Sequence, residues 1–231
     1  MNTIPDPVKT GTYTISEAAR YISAPYSTIF RWAVGAGAKG SLVKIPSNKP
    51  NLISFMNLTE LHLLCAIRRE YKISTRKIYN AIEYLKEYGE SEDERNYPLA
   101  CGKLHVDKDR RGLFVRQLDV LVEASRSGQV AMHDIIGLAL DRIELDERDI
   151  PAKFYPFTRN DIKENSPKKI VIDPRISFGR PVISGTGIST NIVAGRYKDG
   201  ESIRSLSRDY GCPPQDIEEA IRVELQPDVA A

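Results

Sequence analysis

Between Lys168 and Leu225, glycine and proline recur so often that no element can run far. Asp173-Pro174, Gly179, Pro181, Gly185, Gly187, Gly200, Gly211 and Pro213-Pro214 interrupt the chain, because proline lacks an N–H and glycine favours turns. Ile170-Val171-Ile172 is a β-branched run and reads as a strand. Pro181-Val182-Ile183 can return as its hairpin partner. Three helices are then expected. The first runs about Ser189–Lys198 and is closed by Gly200. The second runs about Ser202–Tyr210, with Ser202 as N-cap and Gly211 as a left-handed stop. The third opens at Pro213-Pro214 and buries Ile217, Ala220, Ile221 and Leu225 at helical spacing. Two helices joined by a tight glycine turn make a helix-turn-helix candidate. Taken singly, each of these glycines and prolines need only shape a small domain.

The N-terminal part carries a second such arrangement. Thr14-Ile15-Ser16-Glu17 has capping-box spacing, and Ile15, Ala18, Ala19 and Ile22 form the apolar face of the helix that follows. Ser23-Ala24-Pro25 breaks it, and Pro25 can open a second helix to about Trp32. Ile29 and Trp32 would pack back, leaving Tyr26, Ser27, Phe30 and Arg31 outward. This layout suits a second helix that enters a major groove with its N-terminal residues near the bases. Thr28 can cap, pack or bind phosphate. Leu42–Ile45 and Leu52–Phe55 flank the turn Pro46–Pro50 and read as a hairpin. As a wing it would offer Lys44, Asn48 and Lys49 to a backbone. Asn57-Leu58-Thr59-Glu60 is expected to cap a long helix to about Tyr71. Ser74 begins another, with Ile78, Ala81, Ile82 and Leu85 inward.

Farther on, Ser91–Asn96 reads as a charged loop. Leu104–Val106 and Leu113–Val115 read as a hairpin, followed by helices about Leu118–Ser125 and Gln129–Leu145. The apolar stripe of the latter serves either as core or as a dimer seam. Ala152–Phe157 reads as a strand and Thr158–Pro167 as a linker. The expected fold is mainly α with small β-hairpins (α+β). Its expected domains are a winged helix-turn-helix over 1–89, a middle α/β region over 90–157, a linker over 158–167, and a hairpin plus three helices over 168–231.

Charge separates these parts. Residues 1–89 hold 12 Lys/Arg against 6 Asp/Glu, residues 90–165 hold 12 against 16, and residues 166–231 hold 9 against 9. A polyanion is therefore expected to dock on the N-terminal part. The final helix, with Asp216, Glu218, Glu219 and Glu224 against Arg222, is a poor reader of phosphates.

Two resemblances follow from these strings. IDPRISFGRPVISGTGIS, followed by GESIRSLSRDYGCPPQDIEEAI, resembles the hairpin-plus-helices domain of VapB-type antitoxins, long catalogued as a domain of unknown function. TYTISEAARYISAPYSTIFRWA, the wing, and LHLLCAIRREYKISTRKIYNAIEYL resemble the winged helix-turn-helix of the MerR class, though no cysteine pair follows as in metal sensors. Together they imply an antitoxin of a type II toxin–antitoxin pair. It would bind operator DNA through Arg20, Tyr26, Ser27, Thr28, Arg31, Lys44, Asn48 and Lys49. It would neutralise a PIN-type ribonuclease toxin by direct contact. Such a toxin holds Mg²⁺ in an acidic pocket, which antitoxins of this kind commonly block with an arginine. Arg175, Arg180, Arg196, Arg204 and Arg208 are available, and for each a surface or structural role is the alternative. Operator reading implies a homodimer. The other reading is a MerR-like transcriptional regulator without a toxin.

Nothing points to catalysis, a metal or a cofactor. His62, His105 and His133 lack ligand or triad spacing, and GRPVISGTG lacks the lysine of a phosphate loop. The carboxylates Asp141, Glu144, Asp146, Glu147 and Asp149 read as a solvated face. Cys65, Cys101 and Cys212 never fall in C-x-x-C spacing, which suits reduced thiols in a cytoplasm. No apolar run has the length of a membrane span, and MNTIPDPVKT has no signal-peptide pattern.

Overall fold

Helix α1 (Ile15–Ile22) begins where the capping box closes: the Glu17 N–H donates to Thr14 Oγ1, and the Thr14 N–H donates to Glu17 Oε2 at 2.8 Å. The computed structural model describes residues 5–35, 40–71, 78–79, 82–83, 86–87, 89, 91–101, 137–159 and 166–225. Ser23, at φ 56°, ends α1, and Pro25 sets the entry to α2 (Tyr26–Ala33). Ile15, Ala18, Ala19 and Ile22 of α1 are buried, as are Ile29 and Trp32 of α2. The two helices pack on each other through these faces.

The wing is smaller than expected. Its strands are β2 (Ser47–Asn48) and β3 (Asn51–Ile53), joined by a turn at Lys49-Pro50, and β1 (Tyr13–Thr14) pairs along the other side of β3. Leu42–Ile45 is not a strand. The N–H groups of Leu42 and Val43 both donate to the Trp32 carbonyl, so this apolar run plugs the end of α2.

Helix α3 (Phe55–Tyr71) starts before Asn57, because Ser54 and Asn57 close a second reciprocal cap: Asn57 N–H to Ser54 Oγ, Ser54 N–H to Asn57 Oδ1. Phe55 to Cys65 is buried on every side, so α3 is the central element. It carries two buried ionisable groups. Burial pushes the Glu60 carboxyl up to about 8, although the Leu99 N–H donates to it. Burial pulls the His62 imidazole down to about 4, with its ring against Phe154 and its Nε2 3.1 Å from the Ala139 carbonyl.

Their effects on stability oppose each other. The raised Glu60 value favours the fold fully only below the unfolded value of 4.5, and that advantage fades as pH rises to 8. The depressed His62 value removes stability as pH falls from 6.5 to 4. The two cancel between about 4.5 and 6.5. Stability should then fall from pH 6.5 to 8 by about 2 kcal/mol, at roughly 1.4 kcal/mol per pH unit. Glu60→Gln should flatten that slope in urea melts at stepped pH. An unchanged slope would assign it to other groups.

Of the second elbow helix, Ile78 and Ile82 are described and buried; Ala81 and Leu85 lie outside the described residues. Ser91–Asn96 is a short helix, α4 (Glu92–Asn96), because Ser91 Oγ accepts from the Glu94 N–H. The expected hairpin at Leu104–Val115, the helix Leu118–Ser125 and most of Gln129–Leu145 lie outside the described residues. The last part of that stripe is not helical. Residues 137–140 are, but Ile143–Leu145 forms strand β4, antiparallel to β5 (Pro151–Phe154). The helix stops because Arg142 leaves it. Its guanidinium donates to the carbonyls of Tyr155, Pro156, Ser166 and Pro167 at 2.7–2.9 Å and lies 4.6 Å from the Phe157 ring centre. Burial pulls its pKa down to about 10.

The C-terminal part follows the sequence closely. Strands β6 (Ile170–Val171) and β7 (Val182–Ile183) pair antiparallel, and Ile172 bridges to Phe154 of β5. Helices α5 (Thr190–Lys198), α6 (Ile203–Tyr210) and α7 (Pro214–Leu225) pack together. Ser202 caps α6, and Gly211 stops it at φ 65°. The buried face of α7 is broader than expected. It includes Glu219 and Val223, whereas Leu225 is exposed. The architecture is thus mainly α with small antiparallel sheets, an α+β fold.

One apolar cluster runs from Tyr13, Ile22 and Trp32 through α3 to Ile172, Val193 and Ile217. Both ends of the expected linker are tied down. Thr158 Oγ1 and Arg159 bond the Glu219 carboxylate, and Ser166 and Pro167 bond Arg142. Residues 160–165 lie outside the described residues. Side chains from the N-terminal and C-terminal parts thus share this core.

Candidate nucleic-acid and partner interfaces

Helix α2 presents Tyr26, Ser27, Phe30 and Arg31 on its outer side, with Thr28 half-buried. Tyr26 and Phe30 stack, ring centres 5.9 Å apart and planes 28° apart. The helix is held from below by the buried Ile29 and Trp32, and the Arg68 guanidinium lies 5.7 Å from the Trp32 ring centre. Asn48 and Lys49 are exposed at the wing turn. Lys44 is exposed too, but its Nζ donates to Asn96 Oδ1 of α4 at 3.2 Å. Tyr26, Ser27, Phe30 and Arg31 of α2 and Asn48 and Lys49 of the wing turn are thus all exposed. Arg20 is engaged elsewhere: its guanidinium pairs with Glu224 of α7 at 3.1 Å, in the seam between α1 and α7.

The five C-terminal arginines separate into two kinds. Arg175 pairs with Asp173 at 3.0 Å. Arg196 pairs with Glu201 and Asp209 and lies over the Tyr210 ring. Arg180 pairs with Glu17 of α1. Burial alone would raise the Glu17 carboxyl, but the Thr14 donors and Arg180 hold it below the usual carboxylate range. Arg204 and Arg208, on α6, are exposed and form no ion pair with the described residues.

The acidity of α7 is largely turned inward. Asp216 pairs with Lys169, Glu219 with Arg159, and Glu224 with Arg20, leaving Glu218 outward. Beside Arg180, Tyr13 Oη donates to the Gly179 carbonyl at 2.9 Å, so the turn 177–179 is bolted to β1. At its tip Phe178 is 91% exposed, and Ser177 and Phe178 both have positive φ, 49° and 54°. The sequence reading passed over Phe178; a large aromatic inside Ser-Phe-Gly-Arg-Pro, where only turn residues were needed, is the signal for it.

The matched family begins at β6 and ends in α7. Residues 170–222 match the family described as "Protein of unknown function (DUF433)". Over a longer span the chain is 24% identical, across 236 residues, to a Mycobacterium tuberculosis protein named "Putative antitoxin VapB45"; the match covers 90% of this chain and 92% of that one. The crystal structure of Rv2018 from Mycobacterium tuberculosis shares the fold, with a TM-score of 0.67 at 21% identity, over 92% of this chain and 98% of the other. Among the described residues no group of three or more His, Cys, Asp or Glu side chains is placed to hold a metal ion. Among them, too, no helix is long and apolar enough to cross a membrane.

Proposed function

We propose that this chain is a non-catalytic antitoxin that binds operator DNA through α2 and the wing and neutralises a protein toxin through its C-terminal part. The observation that carries the DNA reading is the exposed row Tyr26, Ser27, Phe30 and Arg31 on α2, in the part of the chain that holds 12 Lys/Arg against 6 Asp/Glu. The toxin reading is supported by the antitoxin name of a relative that spans nine-tenths of the chain. By the resemblance of the GRPVISGT segment, the toxin is a PIN-type ribonuclease. Arg204 and Arg208 are the arginines best suited to reach its acidic pocket, since Arg175, Arg180 and Arg196 already hold carboxylates. A homodimer would supply two copies of α2 to two half-sites.

Gel shifts of the full chain on the duplex upstream of its own gene test the DNA reading. Arg31→Ala should cost about 1–3 kcal/mol of discrimination at one base pair, as for a lost bidentate contact. Lys49→Ala should weaken all duplexes alike and lower the salt slope by about one unit. If neither substitution changes affinity or salt dependence, α2 and the wing are not the DNA surface.

A further inference from the structure

Helix α2 offers few groups that can hydrogen-bond to a base. Its outward side chains are Tyr26, Ser27, Phe30 and Arg31, with Val34 exposed just past its end; it holds one cation and no acid. Phe30 has neither donor nor acceptor, yet it is 37% exposed. With Tyr26 one turn earlier it forms an apolar plate along the helix, rings 5.9 Å apart. Tyr26 is 46% exposed and Phe30 37%, so one side of this plate faces solvent, and Arg31 lies beside it, about 100° further round the helix.

The base edges of a major groove are almost entirely polar. Guanine, adenine and cytosine present N7, O6, N6 and N4; thymine presents O4 and the one apolar group, its C5-methyl. A phenyl ring set against a polar edge removes water from that edge and returns nothing. Against a methyl it gains contact. The absence of acid on α2 and the exposed Arg31 on the same helix suit a polyanion on this surface.

We infer that Phe30, backed by Tyr26, is a specificity-determining residue that reads thymine C5-methyl groups in the major groove, next to a base pair read by Arg31. This rests on the DNA-binding reading above and names what the helix selects. The preferred half-site holds thymine opposite the plate and guanine, with its paired O6 and N7 acceptors, opposite Arg31.

The test uses the full chain and a randomised duplex pool. Selection should enrich duplexes with a fixed thymine in each half-site. Replacing the thymine of one half-site by deoxyuridine removes a single methyl and should weaken binding about fourfold, the factor carried by one methyl-sized group. Phe30→Ala should bind the thymine and deoxyuridine duplexes alike, and Phe30→Leu should keep the preference. Circular dichroism confirms that both variants fold. Equal binding of the two duplexes by the unaltered chain overturns the methyl readout and leaves DNA binding standing. So does Phe30→Ala that still prefers thymine fourfold. A Phe30→Ala chain that binds DNA unchanged but no longer self-associates assigns the plate to a protein contact instead. A pool from which nothing is enriched removes the DNA reading and this inference together.

Discussion

Arg142→Ala should cost the fold about 4 kcal/mol, the largest effect of any single polar substitution considered. The estimate counts about 1–3 kcal/mol for each buried carbonyl left without a donor. Two of the four acceptors, at Tyr155 and Pro156, are fully buried, and those at Ser166 and Pro167 are half-buried. The loss also removes the cation from the Phe157 ring. Against a typical total of about 5–15 kcal/mol, that is a large share. Arg142→Lys should recover only part of it, because an ammonium cannot reach acceptors that a planar fork spans in two directions. Urea melts followed by circular dichroism measure both. An alanine variant within about 1 kcal/mol of the parent would mean that water reaches these carbonyls.

Gly179→Ala should destabilise by roughly 2–4 kcal/mol, from two causes that can be separated. The residue sits at φ 75°, where an L side chain is strained. An added Cβ would also lie 2.6 Å from Tyr13 Oη, which is buried and donates to the Gly179 carbonyl. Tyr13→Phe removes that oxygen and should by itself cost about 1–2 kcal/mol, since the carbonyl loses its donor. The double substitution should then be less harmful than the sum of the two, because the clash is gone and only the backbone strain and the lost hydrogen bond remain. Strict additivity in the melts would show that the collision is relieved by movement elsewhere. Because Arg180 and its partner Glu17 flank the same joint, operator affinity should fall along with stability.

Local chemistry in the sequence was a good guide. Thr14 and Glu17, Ser202, Gly211 and Pro214 set their helix ends as their side chains demand. The inward positions Ile29 and Trp32 and the outward Tyr26, Ser27, Phe30 and Arg31 also fell as the helical period required. The misses are places where a distant partner decided. Leu42–Ile45 has strand composition, but the open carbonyl of Trp32 took its N–H groups. Ile143 and Leu145 fit a helical stripe, yet β5 offered them a ladder. For the candidate arginines and α7, spacing gave no warning. Glu17 and Arg180 are 163 residues apart, and Glu219 meets Arg159 across 60. Net charge per segment therefore misjudged which acids and bases remain available to a partner. Arg20 was read as facing phosphate and instead faces Glu224.

The bolt between Tyr13 and Gly179, with the pairs Glu17–Arg180 and Arg20–Glu224, also bears on how the chain is made. A ribosome exposes β1, α1 and α2 long before it reaches Arg180 or Glu224. Contacts of such sequence separation close late and slow folding, because a long loop must be ordered first. While translation continues, the nascent winged segment waits with the face of α1 that will meet α7 uncovered, a period in which chaperones and proteases have access to it. The segment that holds α1, α2 and the wing is thus synthesised early but completed only when α7 arrives.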